Sequence, residues 1–277
     1  MKIRKIPLIS VVLISAAALA LAASSSITVK GSDTMVILAQ RWAEEYMKNN
    51  SSISIQVTGG GSGTGISALI NGTTDICTAS RPMKSSERNQ LKQRYSSTGV
   101  EVKVAKDGIA LYVNKKSPVT ELSMEQIKSI YTGMITNWKE LGGPDASIIV
   151  YGRDNSSGTY VYFRDVILKG QDYIGTMQSM PGTAAVVNAV EKDVNGIGFG
   201  GAAYGKGIKY VKVKKDDDSP GYDPTLENIQ AGKYPITRYL YLYLRSKPSG
   251  ELKKFIDWIL GAQGQAVVSN VGYFPIR

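Results

Sequence analysis

The sequence predicts an α/β protein of two lobes, each with a mixed or parallel β-sheet flanked by helices. Two observations predict this fold class. From residue 27 onward, short β-rich segments alternate with segments of helical periodicity, which is the pattern of parallel strands joined by covering helices. Two longer β-rich segments, at 100–114 and 239–244, interrupt the alternation, and strands of that kind often cross between lobes.

These two crossing segments divide the chain into its predicted lobes. We expect the chain to leave the first lobe near residue 106 and to return to it near residue 233. Lobe I then comprises residues 24–106 and 233–277, and lobe II comprises residues 107–232. A chain of 277 residues is long enough to bury a hydrophobic core.

The first 23 residues have the composition of a secretory signal peptide. Residues 2–5 include three basic side chains, residues 7–23 carry no charge, and Ala20-Leu21-Ala22 fits a small-x-small cleavage site. We expect cleavage near Ala22-Ala23 and a secreted protein, either periplasmic or at the extracellular surface. Retention as an N-terminal anchor is the alternative, because the apolar run is almost long enough to span a membrane.

Apolar spacing sets the predicted elements of lobe I. Met35, Leu38 and Trp42 recur at helical spacing, whereas Ile53 and Ile55 alternate with polar neighbours as in a strand. The predicted strands are 27–29, 53–57 and 75–78, and the predicted helices are 35–46, a short helix through 66–69, and 84–95.

The rest of the chain continues the same alternation. The acid-rich segment 214–224, which contains two prolines, is expected to be a solvated surface loop. The predicted strands are 147–151 and 196–200, and the predicted helices are 123–132, 156–168 and 249–261.

Three polar segments, 31–34, 59–65 and 153–159, each follow a predicted strand and open a predicted helix. In open α/β sheets, ligands bind beyond the carboxyl ends of the strands. Helix N-termini also favour anions, because they offer unpaired N–H groups and the positive end of the helix dipole. Since the three turns share this position, we expect them to converge on one small tetrahedral anion.

Arg153 makes the third turn the most informative. It stands four residues before Ser157-Gly158-Thr159, and its planar guanidinium matches the geometry of an oxyanion. The alternative for Arg153 is a surface ion pair with Asp154 or Asp165.

Small hydroxyl side chains occur at the other turns as well. The alternative to ligand binding for Ser32, Thr34 and Ser62 is a purely structural role as helix N-caps. However, five of the residues from 59 to 65 are glycines, so the backbone around Ser62 carries few side chains and its N–H groups can approach a ligand. Ser80-Arg81 follows the strand that ends at residue 78 and supplies a fourth turn at the same edge of the sheet.

The residue inventory excludes several classes of enzyme. The chain contains no histidine and a single cysteine, Cys77, which excludes a Ser-His-Asp triad, a Cys-His pair, a histidine-containing zinc site and an intramolecular disulfide. Residues 60–64 almost match the nucleophile elbow of serine hydrolases, but Thr64 replaces the final glycine and no base accompanies Ser62. We therefore expect neither an enzyme nor a metal or cofactor site.

The formal net charge of +10 favours anionic partners. The basic residues are scattered among acidic ones, as at residues 214–218, and no Lys/Arg-rich run appears. We therefore expect a small anion rather than nucleic acid as the partner, and a monomeric protein.

A set of short motifs runs through nearly the whole chain after residue 23. They are 31–34 (GSDT), 61–65 (GSGTG), 79–82 (ASRP), 107–110 (DGIA), 130–133 (IYTG) with 136–138 (TNW), 153–159, 196–198 (GIG), 234–236 (YPI) and 272–275 (GYFP). Together they resemble the phosphate-binding proteins of phosphate-specific ABC importers, the PstS family. The resemblance implies a type II periplasmic-binding-protein fold, in which hinge strands join two lobes and phosphate is buried in a ligand cleft between the lobes.

The resemblance also implies roles for individual residues. By position, Thr34 and Ser62 would hold phosphate from lobe I, with Ser32 as an added hydroxyl. From lobe II the phosphate would be held by Arg153, Ser157, Gly158 and Thr159.

One position departs from the best-known members of the family. Those proteins carry an aspartate after the third strand that accepts the proton of phosphate, whereas this chain has Ser80 followed by Arg81, as in the shorter branch of the family. We count both residues as candidate ligands. We favour Asp154 as the proton acceptor because it adjoins Arg153, with Asp33 or a backbone carbonyl as the alternatives.

The function expected from these observations is that of an extracytoplasmic, high-affinity phosphate-binding protein that delivers phosphate to an ABC permease. The first alternative is a binding protein for another tetrahedral oxyanion, such as sulfate, molybdate or tungstate. The second alternative is a phosphate sensor without a transport role.

Overall fold

A computed structural model describes residues 25–205 and 207–276. The predicted signal peptide, residues 1–23, lies outside the described residues. In the described part of the chain, no helix has the length and apolar character needed to cross a membrane.

Strands and helices alternate along the described residues. The strands are β1 (Ser25–Gly31), β2 (Ile53–Thr58), β3 (Ile76–Ala79), β4 (Val100–Val113), β5 (Glu121–Ser123), β6 (Ile149–Arg153), β7 (Gln178–Met180), β8 (Gly196–Gly201), β9 (Lys209–Lys214) and β10 (Thr237–Leu244). The α-helices are α1 (Val36–Lys48), α2 (Ser62–Asn71), α3 (Ser85–Tyr95), α4 (Met124–Thr132), α5 (Gly158–Val166), α6 (Thr183–Lys192), α7 (Leu226–Gln230), α8 (Gly250–Leu260) and α9 (Ala262–Val271). Short 3₁₀ helices occupy Trp138–Leu141 and Ala202–Tyr204.

β4 belongs to both sheet regions of the molecule. Its first part, residues 100–108, pairs antiparallel with β10, which leads to β3, β1 and β2. Its last part, residues 109–113, pairs antiparallel with β8 and β9. Parallel pairing joins β1 to β2 and β3 on one side, and β6 to β7 and β8 on the other. The strand therefore carries the chain from one sheet region into the next.

Separate hydrophobic cores lie on the two sides of this crossing. On the lobe I side, α1, α8 and α9 pack on one face of the sheet, and α2 and α3 pack on the other. On the lobe II side, α4 and α5 pack with β8 and β9, while α6 covers the opposite face. Along β4, Val104 and Ala105 belong to the first core and Ile109 and Leu111 to the second.

The predicted fold class is confirmed: the chain is a two-lobed, mixed α/β protein with flanking helices. The predicted strand at 100–114 is β4, and the predicted helix at 156–168 is α5. That helix begins at Gly158, later than predicted, because Ser157 is its N-cap and accepts a hydrogen bond from the backbone N–H of Tyr160. The lobe boundaries at 106 and 233 stay a prediction.

Candidate functional site

The predicted turns meet where strands of both lobes end. Ser32 and Thr34 follow β1, Ser80 follows β3, and Ser62 opens α2 after β2. Arg153 is the last residue of β6. Parallel strands aim their carboxyl ends at one edge of a sheet, so short turns after β1, β2, β3 and β6 bring distant parts of the chain together.

Hydrogen bonds link the turns across the cleft. The hydroxyl groups of Thr34 and Thr159 share a hydrogen bond of 2.9 Å. The N–H of Gly63 donates to the carbonyl of Ser156 over 2.9 Å, and the Ser156 hydroxyl donates to the carbonyl of Gly60 over 3.2 Å. These bonds connect the start of α2 with the turn before α5, so the two helix N-termini face one another.

Gly158 lies against two serines of lobe I. A Cβ added at Gly158 would stand 2.3 Å from Ser62 Oγ and 2.6 Å from Ser80 Oγ. The two serines are themselves joined, because the N–H of Ser80 donates to Ser62 Oγ over 3.0 Å. Only glycine permits this close approach of the α5 backbone to hydroxyl groups of the other lobe.

Six buried hydroxyl side chains gather at these turns. Each is at most 2% exposed, and Ser32 Oγ is buried without a hydrogen-bond partner among the described residues. Buried hydroxyl groups require partners, and together they can supply several donors to a small polyoxyanion. The six are Ser32, Thr34, Ser62, Ser80, Ser157 and Thr159.

Arg153 is buried, but its guanidinium is held by protein groups on several sides. Nη2 donates to Asp33 Oδ2 over 2.5 Å and to the carbonyl of Pro181 over 3.4 Å. Nε donates to the carbonyl of Met180 over 3.1 Å, and Nη1 donates to the hydroxyl of Thr183 over 3.3 Å. These contacts fix the plane of the guanidinium and leave part of Nη1 for a ligand.

The ion-pair partner of Arg153 differs from both sequence-based alternatives. Asp33 holds it, across the cleft from β6, whereas Asp165 pairs with Arg164. Asp154 turns back onto its own loop, where Oδ1 accepts from the N–H of Ser156 over 2.8 Å and from the Ser156 hydroxyl. A short aspartate directly after Arg153 satisfies the turn locally, which is the common behaviour of this residue type.

Asp33 also binds within lobe I. Oδ1 accepts from the N–H of Gly60 over 2.7 Å, while Oδ2 accepts from Arg153. The carboxylate thus ties the glycine-rich turn before α2 to the turn after β1. Both of its oxygens are already engaged by protein donors.

Arg81 is joined to α3 rather than to the hydroxyl groups. Nη2 and Nη1 donate to the two oxygens of Glu87 over 2.7 and 2.9 Å, a bidentate pair. Burial raises the pKa of Glu87, but hydrogen bonds from Arg81 and from the Lys84 backbone outweigh it and hold the pKa below its usual value. The pair anchors the turn after β3, and a role of Arg81 as a ligand stays a prediction.

Asp107 and Arg238, which were not predicted as site residues, form a buried ion pair on β4 and β10. Arg238 Nε and Nη2 donate to Asp107 Oδ2 over 3.0 and 2.8 Å, and Arg238 Nη1 donates to the carbonyl of Ser80 over 2.9 Å. The two residues are direct cross-strand partners on β4 and β10. A charged residue inside an apolar strand was the available signal.

Two α/β lobes that bring buried hydroxyl groups and an arginine to one cleft define a two-lobed substrate-binding protein for a small anion. A family model described as the PBP superfamily domain matches residues 16–263. The chain is 33% identical over 270 residues to the phosphate-binding protein PstS of Pseudomonas aeruginosa, covering 91% of this chain and 84% of that protein. The chain belongs to the PstS family of phosphate-binding proteins within this superfamily.

Further relatives and solved structures similar to this chain are also named for phosphate binding or phosphate transport. The phosphate-binding protein PstS of Bacillus subtilis is 33% identical over 257 residues, covering 92% of this chain and 82% of that protein. A Clostridium perfringens structure, described as a phosphate ABC transporter substrate-binding protein with bound phosphate, has a TM-score of 0.83 at 32% identity and covers 91% of this chain and all of that one. An ABC-type phosphate transport receptor from Vibrio cholerae has a TM-score of 0.73 at 29% identity, with 91% and 100% coverage.

Proposed function

We propose that this protein captures inorganic phosphate outside the cytoplasm and delivers it to the membrane permease of an ABC importer. The observation that carries the proposal is the cluster of six buried hydroxyl groups, which both lobes contribute at the carboxyl ends of their strands. Relatives that share about a third of its residues are phosphate-binding proteins by name.

The proposed ligands come from both sides of the cleft. Hydroxyl and backbone N–H donors at helix N-termini suit a multiply charged anion, because the helix dipole adds to the hydrogen bonds. Arg153 contributes the charge, held in place by Asp33. Lobe I supplies Ser32, Thr34, Ser62 and Ser80, and lobe II supplies Arg153, Ser157, Gly158 and Thr159.

Binding is proposed to close the cleft about two connecting segments, residues 106–109 of β4 and residues 233–236 before β10. Each lobe supplies only part of the donors, so an anion is fully bonded only when the lobes meet. A ligand that binds the closed form better shifts the population toward it. The change in core membership along β4, between Ala105 and Ile109, supports a pivot at this place.

We also propose that the protein binds its anion without catalysing a reaction. The chain contains no histidine, and the described residues hold no group of three acidic, cysteine or histidine side chains that would suit a metal ion. We propose a monomer that acts in the periplasm or at the cell surface and that has no role in binding nucleic acid. The protein would then dock to the permease and release the bound anion to it.

Calorimetric titration of the purified protein with phosphate, sulfate, molybdate and tungstate tests the proposal. We expect phosphate to bind most tightly, and small-angle scattering of the same samples to show a smaller radius of gyration after phosphate is added. Tighter binding of another oxyanion would replace phosphate as the substrate. Binding with an unchanged radius of gyration would contradict the hinge.

A further inference from the structure

The inference concerns Asp33, which lies in the turn after β1 and pairs with Arg153 at the end of β6. Oδ2 accepts from Arg153 Nη2 over 2.5 Å. Among the ion pairs of the described residues, this pair alone joins turns that face one another across the cleft, whereas the pair of Asp107 and Arg238 joins neighbouring strands. In a protein that opens and closes as proposed above, Asp33 and Arg153 therefore meet only when the lobes meet.

Lobe I sets the orientation of the Asp33 carboxylate. Oδ1 accepts from the N–H of Gly60 over 2.7 Å, within the glycine-rich turn before α2. A Cβ added at Gly59 would stand 2.4 Å from the same oxygen, so glycine at this position leaves room for the carboxylate where it lies. Because these contacts belong to one lobe, they orient Asp33 before the other lobe arrives, which lowers the entropic cost of forming the pair.

Lobe II offers the Arg153 guanidinium only neutral partners. Nε donates to the carbonyl of Met180, Nη1 to the hydroxyl of Thr183, and Nη2 to the carbonyl of Pro181. Hydrogen bonds between two ionised groups are stronger than bonds to neutral acceptors. The Arg153 side chain is 2% exposed and that of Asp33 is 16% exposed, so solvent screens this pair less than a surface ion pair. Closure thus gives Arg153 a carboxylate partner that lobe II does not supply.

A bond that exists only in the closed form acts on the release of the anion. It does not help an anion to enter the open cleft, but it must break before the anion can leave. Breaking a desolvated charge pair between two surfaces therefore changes the rate of dissociation more than the rate of association. Because both members of the pair are protein groups, the effect should also be the same for different anions that the cleft accepts.

We propose that Asp33 is a positioning residue that latches the closed cleft: it pairs with Arg153 across the lobes, holds the guanidinium in place and slows the release of the anion. This proposal rests on the function proposed above. Asp33 acts through Arg153 and not on the anion, since its two oxygens accept from Gly60 and from Arg153. The opposite case is that Asp33 competes with the anion for Arg153, and it predicts tighter binding when the carboxylate is removed.

The test compares the parent with Asp33→Asn by using radiolabelled phosphate. Equilibrium dialysis gives the dissociation constant, a chase with excess unlabelled phosphate gives the release rate, and their ratio gives the entry rate. The asparagine oxygen can still accept from Gly60, but the charge that faces Arg153 is lost. We expect release to become about tenfold to a hundredfold faster, as for the loss of one charge-assisted hydrogen bond, and the entry rate to stay nearly unchanged.

Competition experiments separate the latch from a direct contact with the anion. Arsenate has the shape of phosphate and also keeps a proton at neutral pH, so its affinity should fall in Asp33→Asn by the same factor as that of phosphate. Sulfate should compete with phosphate no better than it does in the parent. A gain of sulfate relative to phosphate in Asp33→Asn would show that Asp33 contacts the anion, and it would overturn the latch.

Asp165→Asn is the matched control. It removes the same charge from an exposed pair with the neighbouring Arg164, near the end of α5, and should keep the release rate of the parent. Thermal unfolding shows whether each variant is folded. If the amide N–H of Asp33→Asn faces the guanidinium and prevents folding, Asp33→Ser leaves that space to water, and the same release rate is measured on it.

The two proposals fail in different ways. A parent protein that binds no phosphate contradicts the proposed function. A parent that binds phosphate, together with an Asp33 variant that releases it at the rate of the parent or more slowly, contradicts only the latch. Faster release in Asp165→Asn, to the same extent as in Asp33→Asn, would assign the effect to net charge and would also overturn the latch.

Discussion

Gly158→Ala should disfavour closure of the cleft without damaging either lobe. The added methyl group would stand 2.3 Å from Ser62 Oγ, 2.6 Å from Ser80 Oγ and 2.9 Å from Ser62 Cβ. A rotamer change of Ser62 can relieve the first contact but not the last. Because carbon atoms in contact stand about 3.5 Å apart, the facing turns must separate by roughly 0.5 Å.

Overpacking of this kind costs about 1–3 kcal/mol, which weakens phosphate binding by about tenfold to a hundredfold. The open lobes should not suffer, since alanine in the first turn of α5 is a better helix former than glycine. Calorimetric titration gives the affinity, and thermal unfolding without phosphate gives the stability. Gly175→Ala is the control, because no heavy atom lies within 4 Å of its added Cβ. Unchanged affinity in Gly158→Ala would refute the contact between the lobes at this point.

Three further predictions concern the charged and thiol groups. Arg153→Ala should weaken phosphate binding by roughly a hundredfold. Arg153→Lys should recover only part of the lost affinity, because an ammonium group cannot donate the two parallel hydrogen bonds of a guanidinium. Equal affinities of the parent and the alanine variant in calorimetry would contradict this prediction. Glu87→Gln should lower the free energy of unfolding by about 3 kcal/mol at pH 7, because it leaves the buried Arg81 without its charged partner. Because folding lowers the pKa of Glu87, its carboxylate stabilises the protein above about pH 4.3, the unfolded value, and this stabilisation is lost as the pH falls through the folded pKa. Urea unfolding should therefore show a smaller difference in free energy of unfolding between the parent and Glu87→Gln at pH 3 than at pH 7. Cys77 is buried and burial raises its thiol pKa, so a disulfide reagent should react with it only after denaturant is added, and fast reaction in the native state would contradict that burial.

The sequence predicted much of what positions the site. Regular alternation and glycine-containing turns identified β1, β3 and β6 and the hydroxyl groups beyond them. The helices α6 and α9 were not predicted. Residues 184–187 of α6 form a short apolar run, which does not distinguish a buried helix from a strand. In α9 the apolar residues do not recur clearly at helical spacing, because one buried position is Gly264. An added Cβ there would stand 2.4 Å from the backbone of Ile259.

Contacts between distant residues were beyond sequence reasoning. Asp33 and Arg153 lie 120 residues apart, and no periodicity relates them. Asp107 was visible as a charge in an apolar strand, but its partner Arg238 lies 131 residues further along the chain, and only the pairing of β4 with β10 brings the two together. Local patterns define elements and their ends, whereas the pairing of side chains across a cleft depends on how two separately folded cores are placed.

β4 has a consequence for the timing of recognition. In a protein that closes about this strand, the hydroxyl groups of lobe I and the Arg153 and Thr159 side chains of lobe II reach the anion from opposite sides. An anion can therefore meet the donors of one lobe while the cleft is still open, and an anion held by one lobe alone can still depart. Only closure adds the charge of Arg153 to the hydroxyl groups of Ser62 and Ser80, so the arrival of the second lobe, and not the first contact, decides how long the anion stays.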